Sequence, residues 1–148
     1  MPCLRQLTFG AESDVKRVPV DWLDLLREMG LSPLAHSHIV ITYLPNKDKD
    51  GKEFDVEPWE TEALKLQGRL FRGATSYPSR SYRQSDESGE VTGEGVMIER
   101  TRMVVSFVAE KDFNQEAIKA VGAFMRRFKR QTRQDSVALV VDGEMYYL

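Results

Sequence analysis

Cysteine is nearly missing from this sequence, with Cys3 standing alone. One thiol makes no intrachain disulfide and no thiolate cluster for zinc, and such a chain fits a reducing compartment. Histidine is almost as scarce: His36 and His38 are the only two, so imidazole chemistry is confined to one short window. Long apolar runs are missing as well. Nothing approaches the ~18 residues of a membrane-spanning helix. The opening MPCLRQLTFG has no apolar run of signal-peptide length, so the expected location is cytoplasmic. A strong net charge of either sign is also absent. Lys and Arg number 21 against 23 Asp and Glu, leaving −2, so bulk electrostatics favour neither nucleic acid nor a membrane surface, and only local patches can. No G-x-S-x-G, Walker loop, H-E-x-x-H or dinucleotide fingerprint occurs, and no cofactor is expected.

What is present is an ordinary globular balance: 148 residues, 41% hydrophobic and 30% charged. That suits a single α+β domain over 1–148, with 1–35 as an N-terminal extension and 36–148 as the core. Residues 3–9 form a weak strand pattern. VPVDWLDLLREMG predicts a helix, with Pro19 in its first turn and Gly30 just past its end. HIVITYL is a β-branched strand over about 38–44. Pro58 starts a second helix whose Trp59, Ala63, Leu66 and Leu70 recur at helical spacing, and Gly73 closes it.

Strands near 74–84 and 96–108 flank the polar SDESGEVTGEG loop. Asp112 with Gln115 predicts a capping box for a third helix lined by Ala117, Val121, Phe124 and Phe128. Asp142-Gly143 between short apolar runs predicts a type I′ hairpin. From residue 38 the order is β-α-β-β-α-β. It fits a ferredoxin-like split β-α-β sandwich with an added N-terminal helix and a C-terminal β-hairpin.

Three stretches carry candidate chemistry, each with an ordinary alternative. NKDKDGKEFDVE places Asn46, Asp48, Asp50, Gly51 and Glu57 at the spacing of a calcium loop. Its flanks are wrong, because a strand precedes it, Glu53 stands where an apolar tether belongs and Phe54 offers no oxygen. The alternative is a solvated turn. His36 and His38 share a strand face. They can begin a metal site or act as a base, but spacing supplies no third ligand, and local packing explains them as well. Glu94 and Glu99 make an acid–base pair only if the fold joins them.

Charge is segregated along the chain. Residues 65–84 carry five bases and no acid, and residues 119–133 carry six bases and no acid, whereas residues 85–99 carry five acids and no base. Segregation of this kind steers or holds a charged partner. Arg69, Arg72, Tyr77, Arg80, Tyr82, Arg83, Arg126, Arg127 and Arg130 are therefore the expected partner-binding residues. Tyrosine beside arginine suits protein interfaces, and also stacking on bases. The alternative is a half-buried strand with snorkelling arginines and a helix end favoured by its dipole.

The expected function is a small non-enzymatic regulatory or accessory domain binding a macromolecule, with a protein or a homo-dimer partner first. A small hydrolase or isomerase using a histidine and a carboxylate is the alternative, and weak single-stranded nucleic-acid binding is another. A deep pocket gathering histidine, carboxylate and arginine favours the enzyme, whereas a flat surface bearing the tyrosines favours the partner.

Overall fold

The structure, a computed structural model, describes residues 21–31, 36–84 and 96–148. His36, Ser37, Arg83, Gln84 and Val96 are described through their backbone alone. The strand expected at 3–9, Pro19 and the polar loop at 85–95 lie outside the described residues. The chain divides into two compact units, Met1–Pro33 and Leu34–Leu148.

In the first unit α1 spans Trp22–Glu28. Asp21 starts it, its carboxylate accepting from the backbone N–H groups of Leu23 and Asp24 at 3.0 and 3.3 Å, a carboxylate N-cap at the positive end of the helix. Gly30 follows the C-cap at φ +75°, where a residue without Cβ is strain-free.

The second unit runs β1 (His36–Pro45), α2 (Glu57–Phe71), β2 (Thr75–Gln84), β3 (Val96–Ala109), a single 3₁₀ turn (Glu110–Asp112), α3 (Gln115–Gln131), β4 (Ala138–Val141) and β5 (Glu144–Tyr147). The sheet is antiparallel throughout, in the order β2-β3-β1-β4-β5. The first four strands make the ferredoxin-like arrangement, and β5 extends it at one edge through the terminal hairpin. Asp142 and Gly143 both take positive φ, 52° and 84°, as a type I′ turn requires.

Two helix boundaries differ from expectation. The left-handed residue ending α2 is Arg72 at φ 70°, not Gly73. Arg72 reaches Asp112 at 3.6 Å, and this pairing accompanies the strained cap. Asn114, not Asp112, caps α3: its Oδ1 accepts from Ala117 N–H at 2.9 Å, while Asp112 closes the 3₁₀ turn. The intervening turn shifts the helix start by two residues.

Alternation places Val40, Thr42 and Leu44 of β1 and Val104, Ser106 and Val108 of β3 under the helices, all fully buried. Against them pack Ala63, Gln67 and Phe71 of α2, and Ala117, Val121, Phe124, Met125 and Phe128 of α3. Trp59 stands edge-on to Phe124 and Phe128, with ring centroids 6.0 and 5.3 Å apart. Gln67 is the buried polar exception. Its Oε1 accepts from Thr42 Oγ1 at 2.7 Å, and its Nε2 donates to Val104 O at 3.2 Å and Ser106 Oγ at 3.1 Å, so every polar arm has a partner.

Candidate functional site

The same alternation turns Ile39, Ile41, Tyr43, Thr75, Tyr77, Thr101, Met103, Val105, Phe107, Val140, Met145 and Tyr147 to the other side of the sheet. Neither α2 nor α3 packs on that side. The strand register sets these residues in rows, with Tyr77 opposite Met103, Met103 opposite Tyr43, and Ile41 between Val105 and Val140. Tyr77 is 49% exposed, Phe107 59% and Tyr147 68%. Among the described side chains of this face the one charged group is Glu99, itself buried at 5% exposure. It lines a hollow of about 280 Å³ with Tyr43, Ser81, Thr101, Val137 and Tyr147.

The pleat divides the tyrosines and arginines expected to act together. Tyr77 lies on the uncovered face, whereas Arg80 and Tyr82 belong to the opposite one; the side chain of Arg83 is outside the described set. Arg69, Arg127 and Arg130 meet in a groove between α2 and α3 with Lys65 and Glu62. Arg127 is already committed: it pairs with Glu62 and lies over the Trp59 and Phe124 rings at 5.4 and 5.6 Å. Arg126 and Arg130 face a second hollow, of about 600 Å³, with Lys49, Lys129 and Arg133.

His38 is held on three sides. Its ring stacks on Phe113 at 3.8 Å. Nδ1 lies 2.7 Å from an Asp142 oxygen, and Nε2 lies 2.6 Å from Glu110. Two carboxylates on one imidazole call for two N–H donors, which is the cation. The hydrogen bond to Asp142, then the one to Glu110, raise the His38 pKa above its ordinary value. The same bond, with the Ile39 N–H, holds the Asp142 carboxyl low. With both ring nitrogens engaged, His38 ties the terminal hairpin to the 3₁₀ turn. The side chain of His36 and all of Glu94 lie outside the described set.

The loop after β1 has its side-chain oxygens at Asn46, Asp48 and Asp50 engaged by protein donors. Asn46 Oδ1 accepts from Arg100 N–H at 2.9 Å. Asp48 Oδ1 accepts from the N–H groups of Asp50 and Lys52 at 2.9 and 3.0 Å. Asp50 pairs with Arg133 at 2.8 Å, and Glu57 opens α2. Among the described residues no three His, Cys, Asp or Glu side chains gather as a metal ion requires, and no helix is long and apolar enough to cross a membrane.

The helical hollows, the Glu99 hollow and the convergence of Lys49 with α3 could not be read from sequence, because each joins elements far apart along the chain. The signal that was available, the two-residue period of β1 and β3, already separated a face with Glu99 as its one acidic or basic residue on those strands from the face under the helices.

No protein-family model and no curated protein matches this chain. Solved structures do match in fold. A phage SAM lyase in complex with S-methyl-5′-thioadenosine overlays with a TM-score of 0.55 at 13% identity, over 75% of this chain and 88% of that one. A phage SAM lyase in the apo state overlays with a TM-score of 0.56 at 13% identity, over 80% and 94%. At that identity the likeness extends to the fold and no further.

Proposed function

We propose that this chain is a non-enzymatic protein-binding module that works through the uncovered face of its sheet, and that its partner is a second copy of itself. The observation that carries this is the near absence of charge. In a chain that is 30% charged, one whole sheet face shows a single buried carboxylate among its described side chains. Depletion of charge with enrichment of tyrosine, phenylalanine and methionine marks the core of an interface. The terminal strand supports the same reading, since β5 is exposed along its length and leaves an outer edge open to pairing. A two-fold axis lets one self-complementary patch serve both copies.

Light scattering across micromolar concentrations tests this. The wild type is expected as a dimer or larger, and the double variant Phe107→Glu, Tyr147→Glu as a folded monomer. A wild-type monomer throughout ends the reading.

A second reading has the Glu99 hollow behind it. A buried carboxylate among tyrosine and serine hydroxyls on a fold shared with a SAM lyase supports a small enzyme of lyase type, with Glu99 in place of the histidines as its acid–base group. Incubation with SAM and detection of S-methyl-5′-thioadenosine by mass spectrometry tests it. Turnover lost in Glu99→Gln supports this reading, and no turnover by the wild type removes it.

A further inference from the structure

We propose that the hollow beside the C-terminal end of α3 is a binding site for a polyphosphate chain, free or carried by a nucleoside. Lys49, Arg126, Lys129, Arg130 and Arg133 line it, together with Gln134, Leu148 and one acidic side chain, Asp135. Arg133 is neutralised by Asp50 at 2.8 Å and Asp48 at 3.8 Å. Lys49, Arg126, Lys129 and Arg130 have no ion-pair partner among the described residues. Four cations without an ion-pair partner among the described residues therefore face one acidic side chain across a hollow of about 600 Å³, within the range of small-molecule sites.

The helix dipole accounts for part of this and not for the rest. Lys129 and Arg130 sit in the last turn of α3, where cations are favoured. Lys49 belongs to another element and gains nothing from that dipole. It is brought in by tertiary bonds: its N–H donates to Arg133 O at 3.0 Å, and Gln134 Nε2 donates to Lys47 O at 2.8 Å. The fold thus spends hydrogen bonds to hold like charges around one concavity. Like charges so gathered repel, less so in solvent than in a buried site, and a bound anion offsets that repulsion. Arginine forks and a lysine point charge together match the oxygens of a phosphate chain. The chain must be multiply charged, because one carboxylate or sulfate satisfies one cation and leaves the others repelling.

The site is remote in chemistry from the uncharged sheet face, so the two proposals stand or fall separately. Calorimetry with inorganic tripolyphosphate at low ionic strength, using the full chain, tests it. Saturable one-site binding is expected, undisplaced by sulfate at equal ionic strength. Arg126→Glu with Arg130→Glu should weaken it roughly tenfold or more, and so should Lys49→Glu alone. Lys65→Glu, in the groove on the other side of α3, should leave it unchanged. Amide correlation spectra of each variant establish that the fold is intact. ATP in place of tripolyphosphate separates the sources: tighter binding assigns a nucleoside polyphosphate, equal binding the phosphate chain alone, and both uphold the site. Absence of saturable binding by the wild type, or binding indifferent to Lys49→Glu and to the Arg126, Arg130 reversal, overturns it.

Discussion

Gln67 and His38 show what single residues hold in place. Gln67 occupies a position that helical spacing assigns to the core, between Ala63 and Phe71. Its amide serves Thr42, Ser106 and the Val104 carbonyl, all buried. Gln67→Leu keeps the bulk and orphans those groups, so the unfolding free energy should fall by about 1–3 kcal/mol. Urea denaturation measures it, and an unchanged midpoint would remove the network from the account of stability. His38 carries a pH dependence of two signs. Its pKa is raised in the fold, so its contribution is full below the ordinary value of about 6.5 and disappears as pH rises through the elevated folded value. Asp142 has a lowered pKa. Its contribution is present above the ordinary carboxylate value and disappears as pH falls through the depressed one. The clamp is therefore strongest in mildly acidic solution. An NMR titration of the ring should place the His38 midpoint above that of a model imidazole. Unfolding midpoints of His38→Gln should lack the alkaline decline seen in the wild type.

At the scale of the element, the terminal hairpin is where local chemistry and tertiary contacts reinforce each other. Gly143 sits at φ +84° with open space around it, so only backbone strain opposes a side chain there. Gly143→Ala should destabilise by roughly 1–2 kcal/mol, readable as a lower thermal midpoint. The Asp142-Gly143 dipeptide made this turn legible from sequence. The second half of the device was not legible: Asp142 Oδ1 accepts from Ile39 N–H at 3.0 Å and Oδ2 meets His38, contacts 103 and 104 residues apart along the chain. The start of α3 shows the same limit. Two side chains suited to N-capping stand two residues apart, and the 3₁₀ turn ending at Asp112, not propensity, decides that Asn114 does the capping.

Across the whole core unit, charge is sorted by layer. The helices carry Lys65, Arg69, Arg126, Lys129 and Arg130 towards solvent, while the described side chains of the sheet's far side are apolar and hydroxylic apart from the buried Glu99. The two surfaces must answer salt differently. The proposed association through the sheet face would rest on apolar burial, which salt screening leaves intact. Anion capture by the α3 hollow weakens as ionic strength rises. Sedimentation velocity in low and high salt should show the oligomer unchanged, while tripolyphosphate affinity falls over the same range. An oligomer that dissociates in high salt would point to an ionic interface elsewhere on the molecule.

The sequence by itself determined the order of the elements from residue 38 to the end, the buried face of α3, and the I′ turn. All three follow from interactions within a few residues: helical and strand periodicity, capping, and the positive φ that glycine tolerates. The tertiary structure alone decided which groups meet. It set His38 between Asp142 and Glu110, and kept the loop carboxylates at Asp48 and Asp50 for backbone N–H groups and Arg133. It also drew Lys49 against α3. These pairings depend on strand order and register, which long-range packing sets, and no spacing along the chain encodes them.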